Sequence, residues 1–494
     1  MQIFSYMYTD FPLALGYDTS MEQGKEAGVQ LDEKEKRRRD MILNGPQVKT
    51  IFYIALPLVF YNSLHQVFQL IDTIIAANMS ASVVSTVAFI GQIETMLYAI
   101  GTGLSVGGSI LISRSYGAGN MEKARSQIST LFFACLAIGG LILAITIPLA
   151  YPILKLLRMP QDLIGQGTMY FILTILNILF HFINMIYLAI EKSRGNTKTI
   201  MWCNMLVMVA KTFFNVIVIV LSKTNTVSVN IAMLLLPVAT MGAETLLTVI
   251  ALRNLTDKKN PFALSIHYCA FKSTFIVPLA NLSIPIFLEK FIFAFGKAIV
   301  NSMCASMGTT VVGALGVSNR LGGFATNPPA GFQEVESSLI SQNLGNHNLN
   351  RALGIFYRTL IINLMVAFIF FVIMITFKDK IIMVFAKGDT TFAAEIDTIY
   401  TYECWGSVLI AINASVMGLL YGFGKTRISM ILNVIRLFVY RIPPLYLLMH
   451  FTNIGITAAG MAMLISNGMV GITAGIVAVA FIRKVKKEIT KFEL

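Results

Sequence analysis

A regular series of polar side chains runs along the first long apolar segment of the chain. Their spacing places them on one face of a helix: Asn62, His65, Gln66, Gln69, Asp72 and Thr73. A carboxylate in such a segment needs a cation, a proton or a basic partner, because apolar surroundings penalise a free charge. We therefore predict that Asp72 couples to an ion and that Asn62, His65, Gln66 and Gln69 line a polar cavity. Hydrogen bonding between helices is the alternative explanation for the uncharged residues.

A lysine in a later apolar segment could supply the partner of this carboxylate. Asn204, Lys211 and Asn215 again share one helical face. A lysine alone in lipid would lose its proton, so it needs an acidic neighbour, and Asp72 would serve if the two segments meet. We assign Asp72, Lys211 and Asn215 as candidate ion-coupling residues and Asn204 as a cavity residue. A purely structural ion pair is the alternative.

Basic residues inside apolar segments are more numerous in the second half of the chain. In one segment, two lysines share a helical face. In a second segment, an arginine and two polar residues follow one another at steps of seven. In a third, another arginine closely precedes Pro443 and Pro444. These basic residues and their polar neighbours complete the predicted cavity lining: Lys290, Lys297, Asn301, Arg320, Asn327 and Arg436. Such a lining suits an anionic or zwitterionic group on a bound molecule, although internal ion pairs explain it equally well.

Other kinds of chemistry find no support in the sequence. The five cysteines lack the spacing of a disulfide framework or a metal site. We find no Ser/His/Asp set, HExxH pattern or Walker motif, so neither an enzyme nor a metal or cofactor site is predicted. The net charge of +13 comes mostly from residues between apolar runs, which favours a membrane over nucleic acid as the partner.

The elements that must position these residues are membrane-spanning helices. Of the 494 residues, 56% are hydrophobic and 13% are charged, and the mean hydropathy is +0.71. Apolar runs of about 20 residues, enough to cross a bilayer as a helix, follow one another along the chain. They predict an all-α membrane protein with twelve spans: 51–77, 83–113, 127–150, 163–190, 199–221, 229–252, 275–303, 309–341, 353–377, 394–421, 428–450 and 455–482.

The two halves of the chain repeat each other. Pro57 and Gly117 reappear as Pro285 and Gly345, each 228 residues later. Six spans per half is an even number, so both halves enter from the same side as parallel repeats around a central cleft, an arrangement typical of secondary transporters. The chain is divided accordingly into a cytoplasmic polar tail (1–46), an N-terminal six-helix bundle (47–253), a cytoplasmic linker (254–273), a C-terminal six-helix bundle (274–482) and a cytoplasmic basic tail (483–494).

The distribution of lysine and arginine predicts the orientation. With a cytoplasmic N-terminus, 26 of these residues fall in inside segments and 6 in outside loops. The excess of positive charge places both termini in the cytoplasm of a plasma-membrane protein. The run from Glu33 to Arg39 is interpreted as solvated charge that reinforces this orientation. No cleavable signal is predicted, and the chain starts at Met1 or Met21.

An ordered set of short motifs in both halves resembles the MATE (multidrug and toxic compound extrusion) family of prokaryotic type. The first half carries Ala55-Leu-Pro57, Ile71-Asp72-Thr73, Gly103-Leu-Ser-Val-Gly107 and Ser113-Arg-Ser-Tyr-Gly117. The second half carries Pro285, Gln342-Asn-Leu-Gly345, Arg436 and Arg441-Ile-Pro443. The resemblance covers about residues 47–485.

This resemblance implies a monomeric antiporter that exports drugs or other amphipathic small molecules by alternating access. Inward flow of H⁺ or Na⁺ would drive it, and Asp72 matches the coupling carboxylate on the family's first helix. At the other positions that bind the cation in relatives with this carboxylate, this chain has different residues. Lys211 stands in place of an Asn, Asn215 in place of an Asp, and Leu235 lies near the Thr position. For the coupling carboxylate on the family's seventh helix, Glu289 is only a rough counterpart.

The departure from the family's cation site leads to a hypothesis about the coupling ion. An ammonium at Lys211 would sit where the Na⁺ should bind, so coupling would run by protonation of Asp72. The pair could equally be locked, which would leave coupling to the second half. The alternative function is that of a flippase for a lipid-linked anionic precursor, which the basic residues of the second half favour.

Overall fold

The structure is a computed structural model that describes residues 31–77, 81–157, 159, 161–224, 226–257, 260–265, 268–269, 271–386 and 389–492. The described residues are helical with short connections and contain no strand. The helices in chain order are α1 (Glu33–Asn44), α2 (Gln47–Ala77), α3 (Ala81–Gly117), α4 (Met121–Thr146), α5 (Ala150–Leu156), α6 (Gln161–Ser193), α7 (Thr197–Lys223), α8 (Val229–Thr256), α9 (Ser273–Ala305), α10 (Thr309–Gly345), α11 (Leu349–Ala386), α12 (Thr390–Gly422), α13 (Thr426–Phe438), α14 (Ile442–Phe451) and α15 (Thr457–Phe492).

The long helices coincide with the twelve predicted spans. Eleven helical stretches in the described part of the chain are long and apolar enough to cross a membrane, with α13 and α14 together forming one of them. The twelfth long helix is α10, with 37 residues, which carries Arg320, Glu334 and Glu336 and is therefore less apolar. The predicted all-α membrane fold with twelve spans is confirmed.

One predicted span is divided where its sequence contains two adjacent prolines. Helix α13 ends at Phe438, and α14 begins at Ile442 with prolines at its first positions. Proline is tolerated in the first turn of a helix, where its missing N–H would have no partner in any case. The break leaves Arg441 at the start of α14, where the side chain is buried.

The ends of α3 and α10 cross closely, and the crossing repeats itself in the two halves. A Cβ atom on Gly117 would lie 2.0 Å from the carbonyl oxygen of Gln342, and one on Gly345 would lie 2.0 Å from that of Arg114. Gln342 and Arg114 are themselves 228 residues apart, so the two approaches are equivalent. Only glycine allows backbones this near to each other, which explains why both copies of the repeat carry it here.

The described contacts between the halves are concentrated toward this crossing. Helix α10 packs on α2 and α3, and α3 also packs on α9. One hydrophobic cluster contains residues of both halves, including Ile54, Ile286 and Phe332. Among the described residues, the cluster around Leu315 and Tyr400 contains residues of the second half alone. The molecule is therefore closed at the end where α3 and α10 finish.

Part of the predicted polar tail forms a helix that contacts both halves at this closed end. Arg39 of α1 donates a hydrogen bond of 3.0 Å to the carbonyl of Gly117 at the end of α3. In return, Arg351 of α11 donates to the carbonyls of Ile42 at 3.1 Å and of Gly45 at 2.5 Å. The interpretation of the whole charged run as solvated is therefore wrong for Arg39, because helix ends expose carbonyls that a guanidinium satisfies well.

The same run contains a buried acid. Glu35 is 5% exposed, and its Oε1 lies 3.6 Å from Nη1 of Arg194, a residue that also pairs with Glu191. Burial raises the pKa of the Glu35 carboxyl, and the attraction of Arg194 opposes that rise. Glu35 is a second exception to the solvated-charge interpretation.

Candidate functional sites

A chain of polar contacts joins three helices inside the first half. Tyr98 of α3 donates a hydrogen bond of 2.6 Å to Oε1 of Glu94, one helical turn away. The Tyr98 ring stacks on His181 of α6, with ring centroids 3.9 Å apart. Nδ1 of His181 lies 3.1 Å from Oε1 of Glu244 on α8. Two carboxylates are thus linked through a phenol and an imidazole, and we call Glu94, Tyr98, His181 and Glu244 the carboxylate–histidine network.

The carboxylate of Glu244 is held in place by its neighbours. Asn184 donates to Oε2 of Glu244 at 2.5 Å and to its backbone carbonyl at 2.9 Å. Thr248 in turn donates to Oδ1 of Asn184 at 3.0 Å, which fixes the orientation of the amide. Pairs spaced by three or four residues on α6 and α8 make this possible, because such residues lie on one helical face.

This arrangement can hold and exchange protons. Imidazole and carboxylate groups both take up and release protons, and apolar surroundings strengthen the electrostatic interactions of each protonation state. The His181 and Glu244 side chains are 25% and 14% exposed, so they are neither fully buried nor on the surface. Proton uptake or cation binding is the chemistry that these groups support.

The predicted ion-coupling residues lie near this network as far as the structure describes them. Helices α2 and α7 pack together, as the pairing of Asp72 with Lys211 requires. The ammonium of Lys211 attracts the carboxylates of Glu94 and Glu244. Asn215 is buried on the same helix. Asp72 belongs to α2, but its side chain lies outside the described residues, so the Asp72–Lys211 pair stays a prediction.

The other polar residues predicted to line a cavity in the first half have different surroundings. Gln66 is 8% exposed and contacts the backbone of the second half at Gly323, where its amide occupies the space that a Cβ would need. His65 is half-buried, and its ring centroid lies 5.7 Å from that of Tyr61. Asn62 and Asn204 are half-buried as well. The side chain of Gln69 lies outside the described residues, and the cavity-lining role of all five stays a prediction.

Three basic residues gather inside the second half. Nη2 of Arg436 and Nη2 of Arg441 both donate to Oδ1 of Asn467, at 2.9 and 3.0 Å. Arg441 also donates to Ser466 at 3.2 Å. The Lys297 ammonium and the Arg436 guanidinium each lie 5.2 Å from the ring centroid of Phe293. We call Lys297, Arg436 and Arg441 the basic cluster.

One carboxylate faces the basic cluster. Glu403 of α12 interacts electrostatically with all three cations and accepts a 2.5 Å hydrogen bond from Ser318 of α10. Within the described part of the chain, no carboxylate oxygen lies within 4 Å of a nitrogen of the cluster. Positive charge therefore exceeds negative charge in this part of the molecule.

The remaining basic and amide residues predicted for the second half have different surroundings. Lys290 instead forms an ion pair of 3.0 Å with Glu289, which also accepts hydrogen bonds from Tyr421, Ser429 and Asn433. Asn301 is exposed, and Arg320 and Asn327 are half-buried. Their role in lining a cavity stays a prediction.

Sequence reasoning missed most of the carboxylate–histidine network. Glu94, His181 and Glu244 were not predicted as site residues. The available signal was the spacing of polar pairs by three or four residues in three separate apolar segments. That signal identifies helical faces but not which faces meet.

Comparison with known proteins agrees with the architecture. The MatE family model matches residues 57–217 and again 285–447, one match in each copy of the repeat. The two matches begin at Pro57 and Pro285, the same 228-residue offset that the sequence shows.

Individual relatives are distant but cover most of the chain. The probable multidrug resistance protein YoeA of Bacillus subtilis (strain 168) is 20% identical over 434 residues, which covers 83% of this chain and 88% of that protein. The probable multidrug resistance protein NorM of Thermotoga maritima is 20% identical over 426 residues, with 84% and 89% covered.

A solved structure shows the same fold. The crystal structure of a MATE protein in complex with MaL6 superposes with a TM-score of 0.85 at 16% identity, and the match covers 90% of this chain and 99% of that one. Two family matches that together span more than half of the chain, one in each bundle of the same fold, show that this protein belongs to the MatE family of membrane transporters.

Proposed function

We propose that this protein is a secondary active exporter of drugs or other amphipathic small molecules, driven by inward flow of H⁺. The observation that carries the proposal is the carboxylate–histidine network, because it places titratable groups from three helices in contact inside one half of the molecule. Protonation changes the charge of such a network and so biases the packing of the helices that carry it.

H⁺ is favoured over Na⁺ as the coupling ion because of Lys211. A Na⁺ site needs several oxygen ligands and little competing positive charge. The Lys211 ammonium already attracts Glu94 and Glu244, and the family resemblance assigns it to the position of a cation ligand. A proton, in contrast, can be taken up beside an ammonium without a coordination shell.

The predicted orientation of the chain implies which side of the membrane the closed end faces. The lysine and arginine distribution supports a plasma-membrane protein with both termini in the cytoplasm. The crossing of α3 and α10 would then lie on the cytoplasmic side, which supports a state that is closed to the cytoplasm. Export would require the crossing to separate so that cargo can enter from the cytoplasm.

Transport in proteoliposomes tests the proposal. We expect purified protein to move rhodamine 6G against its gradient when a pH gradient is imposed, and not when a Na⁺ gradient alone is imposed at equal pH. Strict dependence on Na⁺ would overturn proton coupling. Full activity in Asp72→Asn would remove Asp72 from the coupling mechanism.

A flippase for a lipid-linked anionic precursor is the second candidate, and the basic cluster is the observation that favours it. The two functions have different consequences in cells. Deletion of an exporter raises sensitivity to dyes or antibiotics, whereas deletion of a flippase depletes a cell-envelope polymer.

A further inference from the structure

The basic cluster carries more positive charge than its surroundings neutralise. Lys297, Arg436 and Arg441 bring three cations, and Glu403 is the carboxylate that faces them. Like charges gathered in apolar surroundings repel one another strongly, so a cluster of this kind needs an anion or water to be stable.

The guanidinium of Arg436 has an unused hydrogen-bond donor. Its Nη2 donates to Asn467, but its Nε is buried and has no hydrogen-bond partner within the described part of the chain. An unsatisfied donor on a charged group is costly, and a carboxylate, sulfonate or phosphate is the ligand that satisfies a guanidinium edge best.

One member of the basic cluster is exposed. The Lys297 side chain is exposed in the structure, although it projects from a membrane-spanning helix. A lysine cannot present its ammonium to lipid without a large cost, so we infer that the space beside Lys297 holds water or ligand. The Phe293 ring beside Lys297 and Arg436 adds a flat apolar surface next to the charge.

We propose that the basic cluster binds the acidic group of an amphipathic cargo, with the apolar part of the cargo against Phe293. This inference rests on the proposed function and specifies its substrate class. Asn467 organises the site, because its single carbonyl oxygen holds both guanidiniums side by side before a ligand arrives. Glu403 competes with the ligand for the same charges and sets the affinity.

Two xanthene dyes of opposite charge provide the test. Fluorescein is an anion and rhodamine 6G a cation at neutral pH, and both bring a flat aromatic system. Fluorescence anisotropy with the full-length protein in a neutral detergent measures both affinities without any ion gradient. We expect fluorescein to bind at least about tenfold tighter than rhodamine 6G, the minimum for one charge-assisted contact.

Variants that remove either a positive or a negative charge from the site make the test more specific. Arg436→Gln and Lys297→Gln should each weaken fluorescein binding about tenfold and leave rhodamine 6G binding unchanged or tighter. Glu403→Gln should tighten fluorescein binding. The matched control is Lys155→Gln, which removes one exposed positive charge from α5 and should change neither affinity.

Two results would overturn the inference. One is rhodamine 6G binding as tightly as fluorescein or tighter, and the other is unchanged fluorescein binding in both Lys297→Gln and Arg436→Gln. Lys297 is exposed, so its variant keeps the test valid even if Arg436→Gln destabilises the fold. A failure of the proposed function is distinguishable, since it appears as absent pH-driven transport of either dye in proteoliposomes.

A competition arm identifies the source of the acidic group. If phosphatidylglycerol displaces fluorescein from the wild type but not from Lys297→Gln, the acidic group belongs to an anionic lipid headgroup. If phosphatidylglycerol displaces no more fluorescein than the neutral lipid phosphatidylcholine does, the acidic group belongs to a soluble cargo.

Discussion

The His181–Glu244 contact gives a proton two adjacent positions inside the first half. With the proton on the imidazole the pair is an ion pair, and with one proton fewer the negative charge of Glu244 relies on Asn184 and Lys211. The two states differ in charge at the junction of α6 and α8. A change in charge at such a junction is the kind of local event that shifts helix packing.

Removal of this charge should uncouple transport from the proton gradient. Glu244→Gln keeps the size of the side chain and the contact with Asn184 but cannot ionise. We expect pH-driven accumulation of dye in proteoliposomes to fall at least about tenfold, a typical loss for a proton-transfer group. Dye exchange without a gradient should persist, because exchange requires no net proton movement.

The surface variant Glu122→Gln at the start of α4 is the control, since it removes an exposed acid. Wild-type accumulation in Glu244→Gln would contradict the role of the network. Loss of exchange together with accumulation would point to a damaged fold instead of uncoupling.

Glu336 on α10 is a buried acid with a different environment. It is 1% exposed, and neither carboxyl oxygen has a hydrogen-bond partner within the described part of the chain. An unsatisfied polar group of this kind costs about 1–3 kcal/mol of folding free energy. Glu336→Met should therefore raise the temperature of thermal unfolding, as measured by static light scattering or intrinsic fluorescence. An unfolding temperature below that of the wild type would show that the carboxyl has a stabilising partner.

At the scale of helices, the hydropathy of the chain was sufficient to predict the spans, because a bilayer demands long apolar segments regardless of their partners. The repeat identified Gly117 and Gly345 as equivalent positions, but their mutual approach depends on how α3 and α10 cross. The carboxylate–histidine network could not be predicted from the sequence for the same reason. Hydrogen bonding between helices would explain each of these residues when it is considered alone in its span, and only the packing of the helices brings the residues together.

The glycine crossing yields a prediction about the closed end. Gly117→Ala forces a methyl group into the carbonyl of Gln342, so α3 and α10 must move apart. Overpacking of this kind costs about 1–3 kcal/mol, and the unfolding temperature should fall. Gly140→Ala is the matched control, because among the described residues no atom beyond its own stretch of helix lies within 4 Å of its Cβ position. Equal unfolding temperatures for the two variants would contradict the close crossing.

At the scale of the whole molecule, the backbone is symmetric and the chemistry is not. At the offset of 228 residues, Glu94 has Gly322 as its counterpart in the second half. Later in each half the offset is 229, as between Gly195 and Gly424, and there Arg436 has Val207 as its counterpart in the first half. The first half thus holds the paired acids and the second half the basic cluster. Parallel repeats allow this division, because a shared scaffold fixes the helices while each half evolves its own polar residues. Ion coupling and cargo binding would then be separate functions that communicate only through the contact between the halves.

A disulfide across that contact should stop transport. The hydroxyls of Ser113 on α3 and Ser338 on α10 lie 3.1 Å apart, so cysteines at both positions should cross-link the halves at the closed end. The pair Ser109 and Ser193 has the same 3.1 Å separation but lies within the first half, which makes it a matched control. In a Cys269→Ser background, oxidation of Ser113→Cys/Ser338→Cys should abolish dye transport, and a reductant should restore it. Oxidation of Ser109→Cys/Ser193→Cys should leave transport intact, because the first half can move as a unit. Transport that continues with the Ser113–Ser338 cross-link formed would show that the halves need not separate at this end, and alternating access through the α3–α10 crossing would be wrong.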